Sequence, residues 1–213
     1  MKFSPLFALS ALIALTPVAF AQSTTDLTVT GTITPAACTP SLSGGGSFEF
    51  GRISAQDLKQ DAQTMFKSSL RQMSVVCDAP TRFALRAVDG RAGTDISPNE
   101  ESFGVGLNGT EKIGRYLLRT NNYTADGNSS TTLLESWNGG SAWSLYGSTY
   151  AHIPNTNFPW LVGVSVDGGM EPSAIGMLTA DFQIYMHIAP AKDLTLTDAV
   201  PIDGASTLEV VYL

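Results

Sequence analysis

Apolar and polar residues alternate with period two along most of this chain. The longest run sets Leu178, Ala180, Phe182, Ile184, Met186 and Ile188 against Thr179, Asp181, Gln183, Tyr185 and His187. Successive side chains of a strand point to opposite faces, so this run predicts a long antiparallel strand with one face in a core and one in water. Shorter runs repeat the pattern. Leu27, Val29, Gly31 and Ile33 alternate with threonines, and Met73, Val75 and Cys77 alternate with Ser74 and Val76. Phe83, Leu85 and Ala87 oppose Arg82, Ala84 and Arg86, which predicts one apolar and one wet face. Thr207–Leu213 reads as a further strand. Turn signals separate these runs, among them Gly44-Gly45-Gly46, Asp89-Gly90, Asn138-Gly139-Gly140 and Asp203-Gly204. Many short strands with glycine-rich turns predict an all-β sandwich or barrel. One segment departs from the pattern. Ala55–Phe66 carries Leu58, Ala62, Met65 and Phe66 among polar residues, which predicts a short amphipathic helix or helical turn capping one end.

The start of the chain follows another rule. Met1-Lys2 is a short positive stretch, Phe3–Phe20 is mostly apolar, and Ala19-Phe20-Ala21 has the small-x-small form of a cleavage site. This order predicts a secretory signal peptide over 1–21, with 22–213 exported as one domain. Its apolar core is short for a membrane span, and no later run nears the ~18 apolar residues a span needs, so no membrane span is expected after cleavage. Export places Cys38 and Cys77 in an oxidising compartment and predicts one disulfide between them. In the chain-entropy model a loop of about 40 residues closed this way is stabilised by roughly 4 kcal/mol. No C-x-x-C spacing is present, and two cysteines with two distant histidines make a poor zinc site, so no metal and no cofactor is expected. The net charge of −7, or −8 once Lys2 leaves with the signal, repels polyanions and argues against nucleic acid as a partner.

The segment Val29-Thr30-Gly31-Thr32-Ile33-Thr34-Pro35-Ala36-Ala37-Cys38 resembles the first strand of chaperone–usher pilins. The second cysteine some 40 residues later and the penultimate Tyr212 are similar to theirs as well. Phe103–Gly106, Lys112–Tyr116 and the tail Val200–Glu209 resemble a little-characterised family of secreted, fimbria-related proteins. The resemblance implies an immunoglobulin-like, pilin-like antiparallel sandwich that lacks its last strand. It implies a donor arm or first strand at Leu27, Val29, Gly31 and Ile33. It implies that Leu208, Val210, Val211, Tyr212 and Leu213 form the C-terminal strand that meets a periplasmic chaperone and then neighbouring fimbrial subunits. Such a protein travels from periplasm to cell surface as part of a fimbrium and serves adhesion. Only Gln22 to Thr30 precede Gly31 in the expected mature chain, an arm that fits a minor or tip-associated subunit and equally a self-complete sandwich.

Candidate chemistry is sparse. Gly104-Val105-Gly106-Leu107-Asn108-Gly109 matches G-x-G-x-x-G, but the residues after it read as strand where a dinucleotide site needs a helix. Gly163-Val164-Ser165-Val166-Asp167 lacks the closing glycine of a serine elbow, His187 falls on a polar strand face, and His152 reads as a loop residue beside Pro154. Glu100-Glu101 with Asp95 and Asp89 reads as solubilising charge in a polar segment. These patterns do not make an enzyme, and a periplasmic hydrolase stands third among the readings. The aromatic cluster is more specific. Trp137, Trp143 and Trp160, with Tyr146 and Tyr150, lie close together among Asn, Ser and Gly. Flat, rigid side chains in such surroundings suit a recognition surface, with Trp137, Trp143 and Tyr146 as contacts to a glycan or host protein, or else they fill the core. A self-complete secreted lectin or adhesin is therefore the second reading.

Overall fold

The longest alternating run forms the longest strand of the computed structural model, which describes residues 37–213. The expected signal at 1–21 and the arm residues Leu27, Val29, Gly31 and Ile33 lie outside the described residues. In chain order the strands are β1 (Cys38–Leu42), β2 (Thr64–Lys67), β3 (Arg71–Thr81), β4 (Phe83–Asp89), β5 (Ser102–Gly104), β6 (Leu107–Asn108), β7 (Glu111–Lys112), β8 (Gly114–Ala125), β9 (Thr132–Ser136), β10 (Ser144–Leu145), β11 (Tyr150–His152), β12 (Leu161–Ser165), β13 (Ile175–Ile188) and β14 (Ser206–Tyr212). One sheet runs β1-β3-β13-β8-β11, with β2 beside β13 and β5 beside β8. The other runs β10-β9-β12-β4-β14, and β6–β7 is a separate hairpin. Every strand ladder is antiparallel. The G-x-G-x-x-G stretch runs from the end of β5 through β6 to the turn that follows it.

The two sheets face each other across one apolar core, as a β-sandwich. Leu178, Ala180, Phe182, Met186 and Ile188 of β13 are buried there, together with Met73 and Val75 of β3 and Phe83, Leu85 and Ala87 of β4. Val162 and Val164 of β12 and Leu133 of β9 close it from the second sheet. Val76, the polar-phase residue of β3, is 51% exposed, so the alternation translates directly into burial. Cys38 and Cys77 are opposite one another in the β1–β3 register and form a disulfide across a sequence separation of 39. The crosslink holds a five-residue edge strand that has little burial of its own.

One expectation is narrowed and one corrected. The helical turn expected within Ala55–Phe66 is present but does not span the segment. Only Ala55–Asp57 makes a single 3₁₀ turn, capped by Ser54 Oγ accepting from Gln56 N–H, and Thr64–Lys67 joins β13 as β2. Strand β3 pairs β13 from Ile175 to Phe182, leaving the edge of Tyr185–Ile188 free, and β2 takes that edge with Thr64 buried and Phe66 half-buried. Ladder bonds and burial there outweigh a weak helical preference. The outer face of β4 is not simply wet either. Ala84 is fully buried, in register with Gly163 on one side and Val211 on the other. The Trp143 ring and Pro172 cover this row so closely that a Cβ on Gly163 would lie 2.7 Å from Pro172 Cγ and 2.9 Å from Trp143 Cζ3. Arg86 does stay at the surface, where it donates to Glu209 across the β4–β14 ladder at 2.9 Å.

Candidate functional site

Strand β14 is paired on one side only. Its register with β4 runs from Ser206↔Asp89 to Tyr212↔Phe83, and among the described residues no strand pairs its other side. Half of its backbone N–H and C=O groups therefore point along a free edge. Leu208 and Val210 face the core but are only half-buried. Tyr212 is 45% exposed, and its hydroxyl accepts from the Cys38 N–H at 2.8 Å, tying the end of β14 to the start of β1. Val211 and Leu213 turn to the outer face, where Leu213 lies against Gly140. Of the C-terminal residues expected to meet a partner, the structure thus places Leu208 and Val210 inward, Tyr212 at the rim, and Val211 and Leu213 outward.

A cavity of about 350 Å³ opens beside this edge. Its floor is apolar: Phe182, Ile184 and Met186 of β13 and Tyr116 and Leu118 of β8. Leu208 of β14 forms one wall and Phe48 and Phe50 form another. A neighbouring cavity of about 170 Å³ shares Ile202 with it and is lined by Ile53, Leu58, Ile113 and Ile188 among others. Ile184 has the core phase of β13 yet stays half-buried, because the space above it is open. Burial of the floor pushes the Tyr116 phenol up to about 12.

Phe48 and Phe50 reach the groove from a strap that is not itself a strand of either sheet. Gly44, Gly45 and Gly46 have φ of +72°, +76° and +75°, a left-handed run that side chains disfavour. Arg71 then fastens the strap, donating to the carbonyls of Ser43 at 3.0 Å and Ser47 at 2.9 Å, with its guanidinium over the Phe48 ring. Phe48 packs against Phe182 at 5.7 Å. The strap contributes side chains to the groove and no main-chain ladder to β14. The Phe-x-Phe spacing between glycines is its signature in the sequence, a run too short for period-two alternation to mark it.

The aromatic residues divide between the two faces of the second sheet. Trp160, in phase with core-facing Val162 and Val164, is 2% exposed and stacks on Trp137 at 4.4 Å with the rings 5° apart. Tyr146 lies on the same stack, 6.0 Å from Trp160. Trp143 is on the opposite face, over Gly163, with its Nε1–H donated to the Gly140 carbonyl. Of the expected ligand contacts, the structure brings Trp137 and Tyr146 together through Trp160 and leaves Trp143 apart.

Two carboxylates and a histidine join the stack, and sequence reasoning had assigned none of them there. His152 is on strand β11 and not in a loop; its side chain is 13% exposed and its Nδ1 is 2.6 Å from Glu101 Oε2. The His152 N–H donates to the Tyr146 hydroxyl at 3.0 Å. Glu101, expected only as a solubilising charge, is thus a partner of the aromatic end. Glu135 on β9 has the core phase of Leu133, and burial holds its carboxyl above the usual range, with the nearby Glu101 charge adding to the effect. The indole N–H groups of Trp137 and Trp160 act the other way, although Trp160 Nε1 is buried without a full hydrogen bond. Burial also pushes the Tyr146 phenol up to about 12. Among the described residues, no group of three or more His, Cys, Asp and Glu side chains converges to hold a metal, and no helix is long and apolar enough to cross a membrane. Ser165 donates to Asp167 at 2.6 Å.

Residues 27–133 match the model of a family described as "Protein of unknown function (DUF1120)". The chain is 29% identical over 238 residues to "Uncharacterized protein YhcF" of Escherichia coli (strain K12), with 98% of each chain covered. It is 26% identical over 240 residues to "Protein GltF" of the same organism, with 94% of this chain and 92% of that one covered. The family match takes in both cysteines and ends at Leu133, ahead of Trp137, Trp160 and β14.

Proposed function

The chain belongs to the DUF1120 family of proteins of unknown function, and from that premise we propose that it is an exported, fimbria-like subunit completed by addition of a β-strand along β14. The observation that carries this reading is the unpaired side of β14 beside an open apolar groove. A long edge strand with core-facing apolar residues invites pairing with other chains, and a chain that exposes one needs a partner to cover it. An incoming strand would bond the free backbone groups of β14 and place every second side chain over Ile184, Leu208 and Met186. Main-chain bonds would supply generic affinity, and the fit of alternate side chains to the groove would set register.

A periplasmic chaperone supplies that strand first in this reading, and a neighbouring subunit supplies it in the assembled fibre. Leu27, Val29 and Ile33 offer suitable side chains at alternate positions. The place in the fibre is a minor or tip-associated one in this reading, with adhesion as the outcome. No bond-breaking chemistry is assigned to the protein.

The test is capture of the exported protein by a coexpressed periplasmic chaperone. Val210→Asp with Tyr212→Ala puts a charge on the core-facing side of β14 and removes the hydroxyl that holds Cys38, and is expected to abolish capture and send the protein into aggregates or degradation. Unchanged yield, solubility and capture would sink the reading.

A further inference from the structure

Strand addition leaves the aromatic end of the sandwich without a role, and that end presents a braced, exposed indole. Trp137 is 51% exposed although one of its faces lies flat on the buried Trp160 ring. The turn that carries it is held by its own hydrogen bonds. Asn138 Oδ1 accepts from Ser136 Oγ at 2.8 Å and from the Ala142 N–H at 2.9 Å, and the Gly139 N–H donates to the Pro159 carbonyl at 2.8 Å. A ring fixed in this way presents a contact face with little conformational entropy left to lose.

The shape and charge of this face narrow the ligand. Trp137, Trp160 and Tyr146 are near-parallel, at 5° and 12°, so the stack offers one flat face and not a cage of several. A quaternary ammonium group, which binds best when aromatic faces surround it, is poorly served. An anion would meet the Glu135 and Glu101 carboxylates, and His152 is already paired with Glu101. A flat, uncharged ring with polarised C–H bonds on one face and hydroxyls at its edge fits both features. Its C–H groups suit the electron-rich indole face, and a hydroxyl can donate to a carboxylate.

We propose that Trp137 and Glu135 form a shallow binding site for a neutral pyranose ring of a glycan, the sugar lying on the free face of Trp137 and donating a hydroxyl to the Glu135 carboxylate. Trp160 and Tyr146 act as positioning residues that keep the Trp137 ring flat. Trp143, on the other face of the sheet, takes no part.

The test uses the full exported chain on an array of immobilised neutral glycans ending in galactose, glucose, mannose or N-acetylglucosamine, followed by indole-fluorescence titration with the free sugar that binds. Wild type is expected to bind at least one of them. Trp137→Ala is expected to weaken binding by about tenfold or more, as loss of a central aromatic contact does. Trp137→Tyr, which keeps an aromatic face, is expected to retain most of the binding, and Glu135→Gln to weaken it by roughly threefold to tenfold. Trp143→Ala should leave it unchanged. Melting of Trp137→Ala within about 4 °C of wild type shows that the fold is intact. Binding to none of these glycans, binding indifferent to Trp137→Ala, or tetramethylammonium displacing the sugar would overturn the site. Chaperone capture is unaffected by Trp137→Ala in any of these cases, so the two readings fail separately.

Discussion

The two ends of interest in this sandwich solve opposite problems. Beside β14 the core is unfinished: backbone groups face a free edge, Leu208 and Ile184 are half-buried, and Phe48 and Phe50 lean in from a strap that makes no main-chain ladder with β14. At the Trp160 end the core is complete. Trp160 is buried, two rings stack on it, and Glu101 and Tyr146 both hydrogen-bond to His152. The difference separates two kinds of recognition. An open edge recruits a partner by what it lacks, so binding finishes a fold. A closed aromatic end recruits by what it presents, so binding adds to a fold already made. The same sheet carries both, because β9 lies toward one margin and β14 forms the other.

That contrast breaks most sharply at Trp160. If the aromatic end is a packed part of the fold, Trp160→Ala should cost about 3–5 kcal/mol in denaturant unfolding, the range for a large aromatic ring removed from a core. It should also free Trp137, seen as a loss of its restricted fluorescence anisotropy. A cost below about 1 kcal/mol would mean that the stack is ornamental and the two ends are alike. The disulfide tests the other end. β1 is a five-residue strand held to β3 by the Cys38–Cys77 bond and to β14 by the Tyr212 hydroxyl. Cys38→Ala with Cys77→Ala should cost about 2–4 kcal/mol in the same assay and raise amide exchange in β1 and β14 before the aromatic end. Equal loosening at both ends would show that the crosslink supports the whole sandwich and not its open side.

The smallest expected effect concerns pH. The folded state holds Glu135 above its ordinary value, chiefly by burial. A carboxyl raised on folding binds protons more readily in the folded state, so its contribution to stability falls as pH rises from the unfolded to the folded value. Once both states are ionised, the penalty persists. Glu135→Gln should therefore melt slightly higher than wild type at pH 7, and the difference should vanish as pH falls below the unfolded glutamate range. Melting curves from pH 3.5 to pH 8 would check it, and an unchanged difference across that range would place the desolvation elsewhere.

Much of the fold can be read along the chain because it is a local pattern. Leu178–Ile188 alternates, and a strand with one buried face is the structure that turns alternation into burial. Cys38 and Cys77, as the only cysteines of the chain, had only each other to pair with. The sequence also placed the aromatic residues in one stretch. It did not sort them between faces, because Trp137, Trp143 and Tyr146 sit in turns and in a two-residue strand where period two has no time to establish a phase. Gly163 decided that matter: with no Cβ, it lets Trp143 lie on the outer face.

What the amino-acid order determined by itself was therefore the class of structure and its crosslink, since both follow from spacing between near neighbours and from the count of one residue type. What only the tertiary structure decided was which groups remain unmet and which converge. Thr64–Lys67 became a strand because β13 had a vacant edge, Glu101 met His152 across 51 residues, and β14 kept one side free. Pairing and proximity of this kind depend on elements far apart in the chain, and no local periodicity encodes whether a distant partner arrives.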